Sequence, residues 1–270
     1  MTAVATRPLA LRADGILMRF GGLVAVNDVS FTIPELGIVS LIGPNGAGKT
    51  TFFNALTGMH KLTAGRVYLG ERNITGLSPN KIASLGMART FQNIRLFGLM
   101  TAEENVKVAM HSHLRSGITR TVVRSPKQRR EERDARSAAL DLLDFVGIRK
   151  TADDYARNLS YGDQRRLEVA RALALRPRVL LLDEPTAGMN PRESAQFVDF
   201  VHRVRDEKQL SILLIEHDMS VVMRVSERIT VLDRGEKIAE GSPDEIKNDP
   251  RVIEAYLGKQ DLAQDEEAPA

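Results

Sequence analysis

Ile38 to Thr51 reads I-V-S-L-I-G-P-N-G-A-G-K-T-T. An apolar run (Ile38, Val39, Leu41, Ile42) breaks abruptly at Gly43, Pro44, Asn45, Gly46, Ala47 and Gly48, and Lys49, Thr50 and Thr51 follow. Residues 43–50 fit G-x-x-x-x-G-K-[ST], the phosphate-binding loop. Glycines let the backbone curl around an anion with its N–H groups pointing inward, where side chains would obstruct it. The helix-forming segment behind the loop (Phe52, Phe53, Asn54, Ala55, Leu56) adds the positive end of its dipole at the same place. Lys49 supplies a mobile cation for the β- and γ-phosphates, and the Thr50 hydroxyl is placed to ligate Mg²⁺. The strand before and the helix after are the context this motif requires.

The rest of the composition narrows the class. A chain of 270 residues with 43% hydrophobic and 27% charged residues can bury a substantial core. No uninterrupted apolar run exceeds four residues, whereas a bilayer span needs about twenty. The start, M-T-A-V-A-T-R-P-L-A-L-R, lacks the apolar core of a secretory signal. With no cysteine, disulfides and thiolate zinc sites are excluded and a cytoplasmic setting is expected. A net charge of +3 does not argue for a nucleic-acid partner.

Outward from the loop, Gly15–Phe20 and Val29–Ile33 read as strands on either side of Gly21-Gly22, and Gly65–Leu69 as another. An antiparallel patch leaning on the nucleotide core is therefore expected near the N-terminus. From Asn93 to Arg157 the chain turns helical in character, with Ala138, Leu142, Phe145 and Val146 at helical spacing. The charged run Arg124–Arg136 reads as a solvated helix, with no aromatic residue to stack on a base. His111 and His113 have no carboxylate or cysteine nearby to complete a ligand set and are assigned to the surface. Val179–Leu182 and Ile212–Ile215 are apolar throughout, like the run before the loop, as strands of a parallel sheet covered on both faces must be. Ligands bind such sheets at the strands' C-terminal ends. Ile229–Leu232, Asp233-Arg234-Gly235 and Lys237–Ala239 read as a closing hairpin, and an acidic tail follows Lys259.

The polar residues at those strand ends form a constellation. Asp183, ending V-L-L-L-D, suits a Mg²⁺ anchor beside the phosphate loop. Glu184 points the other way if extended geometry continues, toward an attacking water. Gln92, in R-T-F-Q-N, offers a neutral amide to Mg²⁺ or water, and His217, in I-E-H-D, a hydrogen bond to a γ-phosphate. In L-S-Y-G-D-Q, Ser160 is a natural N-cap for a helix with Leu167, Ala170, Leu173 and Ala174 on one apolar face. That start is a second anion-binding terminus, which a chain with one phosphate loop does not obviously need.

The ordered series phosphate loop, R-T-F-Q-N, L-S-Y-G-D-Q, V-L-L-L-D-E-P, I-E-H-D resembles the nucleotide-binding subunits of ATP-binding-cassette (ABC) transporters, from about Leu11 to Gly258. The resemblance implies an α/β fold: a P-loop NTPase (RecA-like) core with an N-terminal antiparallel β subdomain and an inserted α-helical subdomain. It implies one domain over 9–258, with 9–92 and 158–258 as core, 93–157 as the helical signature subdomain, and flexible tails at 1–8 and 259–270. It also implies that Ser160, Gly162 and Asp163 of one subunit close on the γ-phosphate held by the phosphate loop of a second cassette. Phe20 is expected to stack on adenine with Val26 nearby. ATP and Mg²⁺ are the expected ligands, Mg²⁺ held by Thr50, Gln92 and Asp183, and Glu184, His217, Gln92 and Lys49 carry hydrolysis. The segment after Gln92 is expected to face membrane-spanning permease subunits on the cytoplasmic side, with a periplasmic or lipid-anchored solute-binding protein as an indirect partner.

L-I-E-H-D-M, G-S-P-D-E-I-K-N-D-P-R-V-I-E-A-Y-L-G and the helical stretch around 110–136 resemble the branched-chain amino acid importers, with urea and amide importers as close alternatives. Asn190, in T-A-G-M-N-P, stands where most cassettes carry an aspartate, which leaves its role open. A DNA-repair ATPase of this family would carry a long coiled coil where 93–157 lies, and these residues lack sustained heptads. A two-cassette translation factor would need a second phosphate loop, and a phosphotransferase leaves L-S-Y-G-D-Q unexplained.

Overall fold

The computed structural model describes residues 7–92, 94–110 and 126–257. Residues 1–6 and 259–270 of the expected tails, His111, His113 and the first two residues of the charged run 124–136 lie outside the described residues. The chain opens with β1 (Leu9–Phe20), β2 (Leu23–Pro34), β3 (Ile38–Ile42), α1 (Lys49–Leu56), β4 (Ala64–Leu69), β5 (Arg72–Asn73) and α2 (Pro79–Ser84). Then come β6 (Met87–Arg89), α3 (Ala102–Met110), α4 (Pro126–Phe145) and α5 (Tyr161–Ala174). It continues through β7 (Val179–Asp183), α6 (Pro191–Lys208), β8 (Ser211–Ile215) and α7 (Met219–Val225). Last are β9 (Arg228–Asp233), β10 (Glu236–Gly241), α8 (Pro243–Lys247) and α9 (Pro250–Leu257). Contacts group the chain into two compact units, Met1–Ile82 with Leu181–Ala270, and Ala83–Leu180.

The first unit holds an antiparallel sheet in the order β2-β1-β4-β5. Its two long strands run twelve residues each, further than the apolar runs Gly15–Phe20 and Val29–Ile33 indicate. The extra length comes from the alternating start of β1, where Leu11 and Ala13 face inward while Arg12 lies over the Tyr68 ring at 4.4 Å. Phe31 of β2 meets Phe52 of α1 edge to face at 5.7 Å, which ties this sheet to the helix after the phosphate loop.

The second sheet of this unit runs β10-β9-β3-β8-β7. β3 pairs in parallel with both β8 and β9, and every residue of β3, β7 and β8 is buried. Helices cover a sheet of this kind on both faces, so its strands carry no polar alternation. β10 closes the edge antiparallel to β9. Their turn places Arg234 (φ 47°) and Gly235 (φ 85°) both in the left-handed region, the two-residue hairpin geometry that matches strand twist. Ile42, Val222, Ile229, Val231, Ala239, Ile246 and Val252 form one buried cluster, so the C-terminal helices pack directly behind the end of β3. Asn190 caps α6: its side chain accepts from the Arg192 and Glu193 backbones, and Glu193 returns a bond to the Asn190 N–H.

In the second unit α3, α4 and α5 pack together. The buried residues of α4 are Ala139 and Leu143, one position round from the expected Ala138 and Leu142, which like Phe145 are half-buried, while the expected Val146, just past the helix, is buried. The expected face of α5 is buried throughout, at Leu167, Ala170, Leu173 and Ala174. Asn105 of α3 is fully buried and binds the loop before it, accepting from the Phe97 N–H and donating to the carbonyls of Phe97 and Thr101. β6 lies beside the first residues of β7, with the Arg178 and Val179 N–H groups donating to the Gly86 carbonyl.

Candidate functional site

Gly43, Gly46 and Gly48 adopt φ of 149°, 79° and 95°, so this loop takes glycine on backbone grounds alone. Space enforces two of the three. A Cβ on Gly43 would lie 2.1 Å from the Leu232 carbonyl oxygen, and one on Gly48 2.5 Å from that of Ala25. The loop is stitched to its surroundings by backbone bonds: Gly235 N–H donates to Ala47 O at 3.0 Å, and Asn27 N–H to Gly235 O at 2.8 Å. Val26 is fully buried in the strand behind the loop. Pro44 and Ala47 are buried as well, whereas Asn45, Gly46 and Thr50 face solvent and Thr51 is half-buried. The Lys49 Nζ folds back to donate to Gly43 O (2.6 Å) and Pro44 O (3.0 Å), which keeps its charge over the loop. Phe20 is exposed at the end of β1, braced edge-on by His60 at 5.6 Å.

Beside β3, the C-terminal ends of β8 and β7 bring the carboxylates in. Asp183 is buried as the last residue of β7. Extended geometry does not continue to Glu184, whose φ is 45°, so strand alternation gives no guide to its direction. A left-handed non-glycine residue costs about 1–2 kcal/mol, and such strain collects at working sites. Two backbone bonds hold it, Glu184 N–H to Ile215 O (2.9 Å) and Ala187 N–H to Glu184 O (3.3 Å). The Glu184 Oε2 lies 4.0 Å from His217 Nδ1, beyond hydrogen-bonding distance, and the His217 ring is open to solvent. Asp218 caps α7, and its bonds from the Ser220 hydroxyl and backbone hold its carboxyl below the usual range despite partial burial.

Glu216 is a site residue that the sequence reading missed. Its carboxylate is fully buried and accepts from the Thr186 N–H and hydroxyl on one oxygen, and from the His217 and Asp218 N–H groups on the other. The available signal was a charged residue directly continuing the apolar run Ile212–Ile215.

The second unit carries Gln92, Ser160, Gly162 and Asp163. Ser160 caps α5, accepting from the Asp163 N–H at 3.2 Å while its hydroxyl donates to Asp163 Oδ2 at 2.9 Å. A Cβ on Gly162 would meet nothing within 4 Å. The Gln92 side chain is exposed and its backbone is gripped by Arg165, whose guanidinium donates to Phe91 O (2.8 Å), Gln92 O (2.6 Å) and Tyr161 Oη (2.9 Å). Buried Glu168 completes the bracket, accepting from Phe91 N–H at 3.0 Å and pairing with Arg165 at 3.4 Å. Arg165 and Glu168 are a second pair missed in the sequence, legible only as an i,i+3 charge pair on an otherwise apolar face.

Among the described residues, no three His, Asp or Glu side chains come together as a metal cluster. The oxygen donors at hand are a hydroxyl and a strand-end carboxylate, hard ligands of the kind that share a Mg²⁺ ion with bound phosphates. What the first unit assembles is a glycine loop with a lysine folded over it, and a glutamate and histidine at the ends of two neighbouring strands.

The ABC transporter family model matches residues 26–187, and a model described as branched-chain amino acid ATP-binding cassette transporter matches residues 236–261. The chain is 48% identical, over 94% of its length and 99% of the relative's, to the high-affinity branched-chain amino acid transport ATP-binding protein LivG of Salmonella typhimurium. It is 47% identical, at the same coverage, to the corresponding protein BraF of Pseudomonas aeruginosa. Among solved structures it is similar to the ADP conformation of MJ1267, an ATP-binding cassette of an ABC transporter. That likeness has a TM-score of 0.80 and 28% identity, over 93% of this chain and 99% of the other. Similar too is the dimeric structure of MJ0796, a bacterial ABC transporter cassette, with a TM-score of 0.73 and 26% identity, over 86% and 98%.

Proposed function

The chain belongs to the ABC transporter family, and from that premise we propose that it is the ATP-hydrolysing subunit of an importer for branched-chain amino acids. The observation that carries the hydrolytic part is Glu184, held in a left-handed conformation with its carboxylate 4.0 Å from His217, which follows the strand next to the one that leads into the phosphate loop. In this reading Glu184 takes the proton of a water that attacks the γ-phosphate in line. Lys49 and His217 donate to the oxygens on which charge builds. Thr50 and Asp183 would hold a Mg²⁺ ion, which would neutralise charge on the nucleotide phosphates. Phe20 provides a ring for adenine, and the residues from Gly43 to Thr51 bind the phosphates.

Two cassettes, identical or related, pair so that Ser160, Gly162 and Asp163 of each complete the other's site. Residues 93–157 form the subdomain that meets the permease. Supporting this, Phe97, Leu99, Met100 and Tyr155 all expose large apolar or aromatic side chains, as a surface for a membrane-spanning partner requires. No helix among the described residues is long and apolar enough to cross a membrane. In this reading the permease partners tether the chain at the cytoplasmic face. A solute-binding protein delivers cargo without touching this chain.

Glu184→Gln tests the hydrolytic assignment. The variant should bind ATP as the parent does, turn over at least about a hundredfold more slowly, and accumulate ATP-dependent dimers. Normal turnover would remove Glu184 from the role. For the cargo, the complex with its permease should show ATPase stimulation by a binding protein loaded with leucine. Stimulation by a urea-loaded protein alone would reassign it.

A further inference from the structure

Glu216 does none of the chemistry above, yet its carboxylate is hydrogen-bonded at both oxygens. It is fully buried, and among the described residues its ion-pair-range neighbour is the His217 ring, whose Nδ1 lies 3.8 Å from Oε2. Its charge is balanced by hydrogen bonds from two loops. Oε1 accepts from Thr186 N–H at 2.9 Å and from the Thr186 hydroxyl at 2.5 Å, and Oε2 accepts from His217 N–H at 3.0 Å and Asp218 N–H at 3.3 Å. Thr186 lies two residues after Glu184 with only Pro185, of fixed φ, between them. The Thr186 carbonyl in turn accepts from Met189 N–H at 2.9 Å, closing the turn that follows. His217 is the neighbour of Glu216 on the other side. One side chain thus spans the two loops that carry the glutamate and the histidine, and the left-handed backbone at Glu184 needs this kind of outside support to persist.

We propose that Glu216 is a positioning residue that sets the spacing between Glu184 and His217, transferring no proton itself. The inference rests on the reading of these two residues as the hydrolytic pair. It explains why a carboxylate is required: both oxygens face N–H donors, and an amide can accept at one end only. Glu216→Gln would turn its NH₂ toward either the Thr186 or the His217 backbone and release one of the two loops.

In the full-length chain Glu216→Gln should lower kcat for ATP by about ten- to a hundredfold, the range for losing a group that orients a reactive one, with KM for ATP within about twofold. Thr186→Val removes only the hydroxyl bond and should lower kcat at least about tenfold, roughly one hydrogen bond to a charged group, with KM for ATP within about twofold. If Glu216 merely holds the fold together, ATP affinity and melting temperature fall in step with kcat, and the proposal is wrong. The decisive measurement is the cycle with His217→Ala. In that background Thr186→Val should cost less than it does in the parent, because there is no longer a ring to position. Full multiplication of the two losses overturns the proposal even if Glu216→Gln does not fold. Normal hydrolysis by Glu184→Gln would instead sink the underlying reading, an outcome separate from either result at Glu216.

Discussion

Gly43 and Gly48 are constrained by neighbours that cannot move. The atoms a Cβ would strike, at 2.1 Å and 2.5 Å, are backbone carbonyl oxygens of β9 and β2, both fixed in sheets. Gly43→Ala should therefore give little folded protein, and what folds should not bind ATP. At Gly46 a Cβ meets nothing, and only the φ of 79° opposes it. Gly46→Ala should fold with a penalty of about 1–2 kcal/mol, which thermal unfolding of the two variants in parallel would measure. A Gly43→Ala protein as stable as the parent would contradict the packing of β9 against the loop. This loop was legible in the sequence because its residue types are dictated by backbone geometry, and that geometry leaves a fixed spacing. Glu184 was legible as a carboxylate at a strand end but not as a left-handed residue, because its conformation is imposed by the turn through Thr186. Glu216 was hidden because its role arises from the Thr186 N–H and hydroxyl, thirty positions away in sequence and beside it only in the fold.

At the scale of elements, apolar strands were read correctly and helical faces less so. β3, β7 and β8 needed only a run of apolar residues, whereas the stripe on α4 depends on rotation, and a shift of one position moves it by about 100°. α5 carried its apolar face as expected but concealed the Arg165–Glu168 bracket that joins its start to the Gln92 segment. Burial, the largest influence, pushes the Glu168 carboxyl above its ordinary value of 4.5, while the Phe91 N–H and Arg165 pull the other way. A folded-state value above the unfolded one means that folding takes up a proton between the two. The contribution of Glu168 to stability is therefore complete below pH 4.5 and is lost as pH rises through its folded value. Hydrogen exchange of the α5 amides should show the parent gaining protection relative to Glu168→Gln as pH falls from 7 toward that window. The opposite slope would mean that Arg165 outweighs burial. Glu168→Ala should be worse than Gln at neutral pH, by about 1–3 kcal/mol, since it leaves the Phe91 N–H without its acceptor.

For the whole molecule, the phosphate loop belongs to one compact unit and the L-S-Y-G-D-Q residues to the other. Gly162 has no positive φ and no neighbour within 4 Å of a Cβ, so no contact within this chain calls for glycine there. A second chain would. If the two cassettes pair head to tail, a Gly162 side chain obstructs the partner's γ-phosphate and leaves its own phosphate loop intact. Gly162→Val should then fold and bind ATP normally but fail to hydrolyse it, and Lys49→Ala should fail for the opposite reason. Mixing the two inactive chains in equal amounts makes hybrids in half the dimers. Each hybrid holds one site with both halves intact, so about a quarter of the parental sites return. Recovery near that level in a steady-state ATPase assay, growing with total protein concentration, is the expected outcome. If the mixture stays silent while each chain still dimerises with a parental copy, the two sites fire only together. If Gly162→Val alone hydrolyses ATP at the parental rate, no partner closes on that helix and the head-to-tail pairing is wrong.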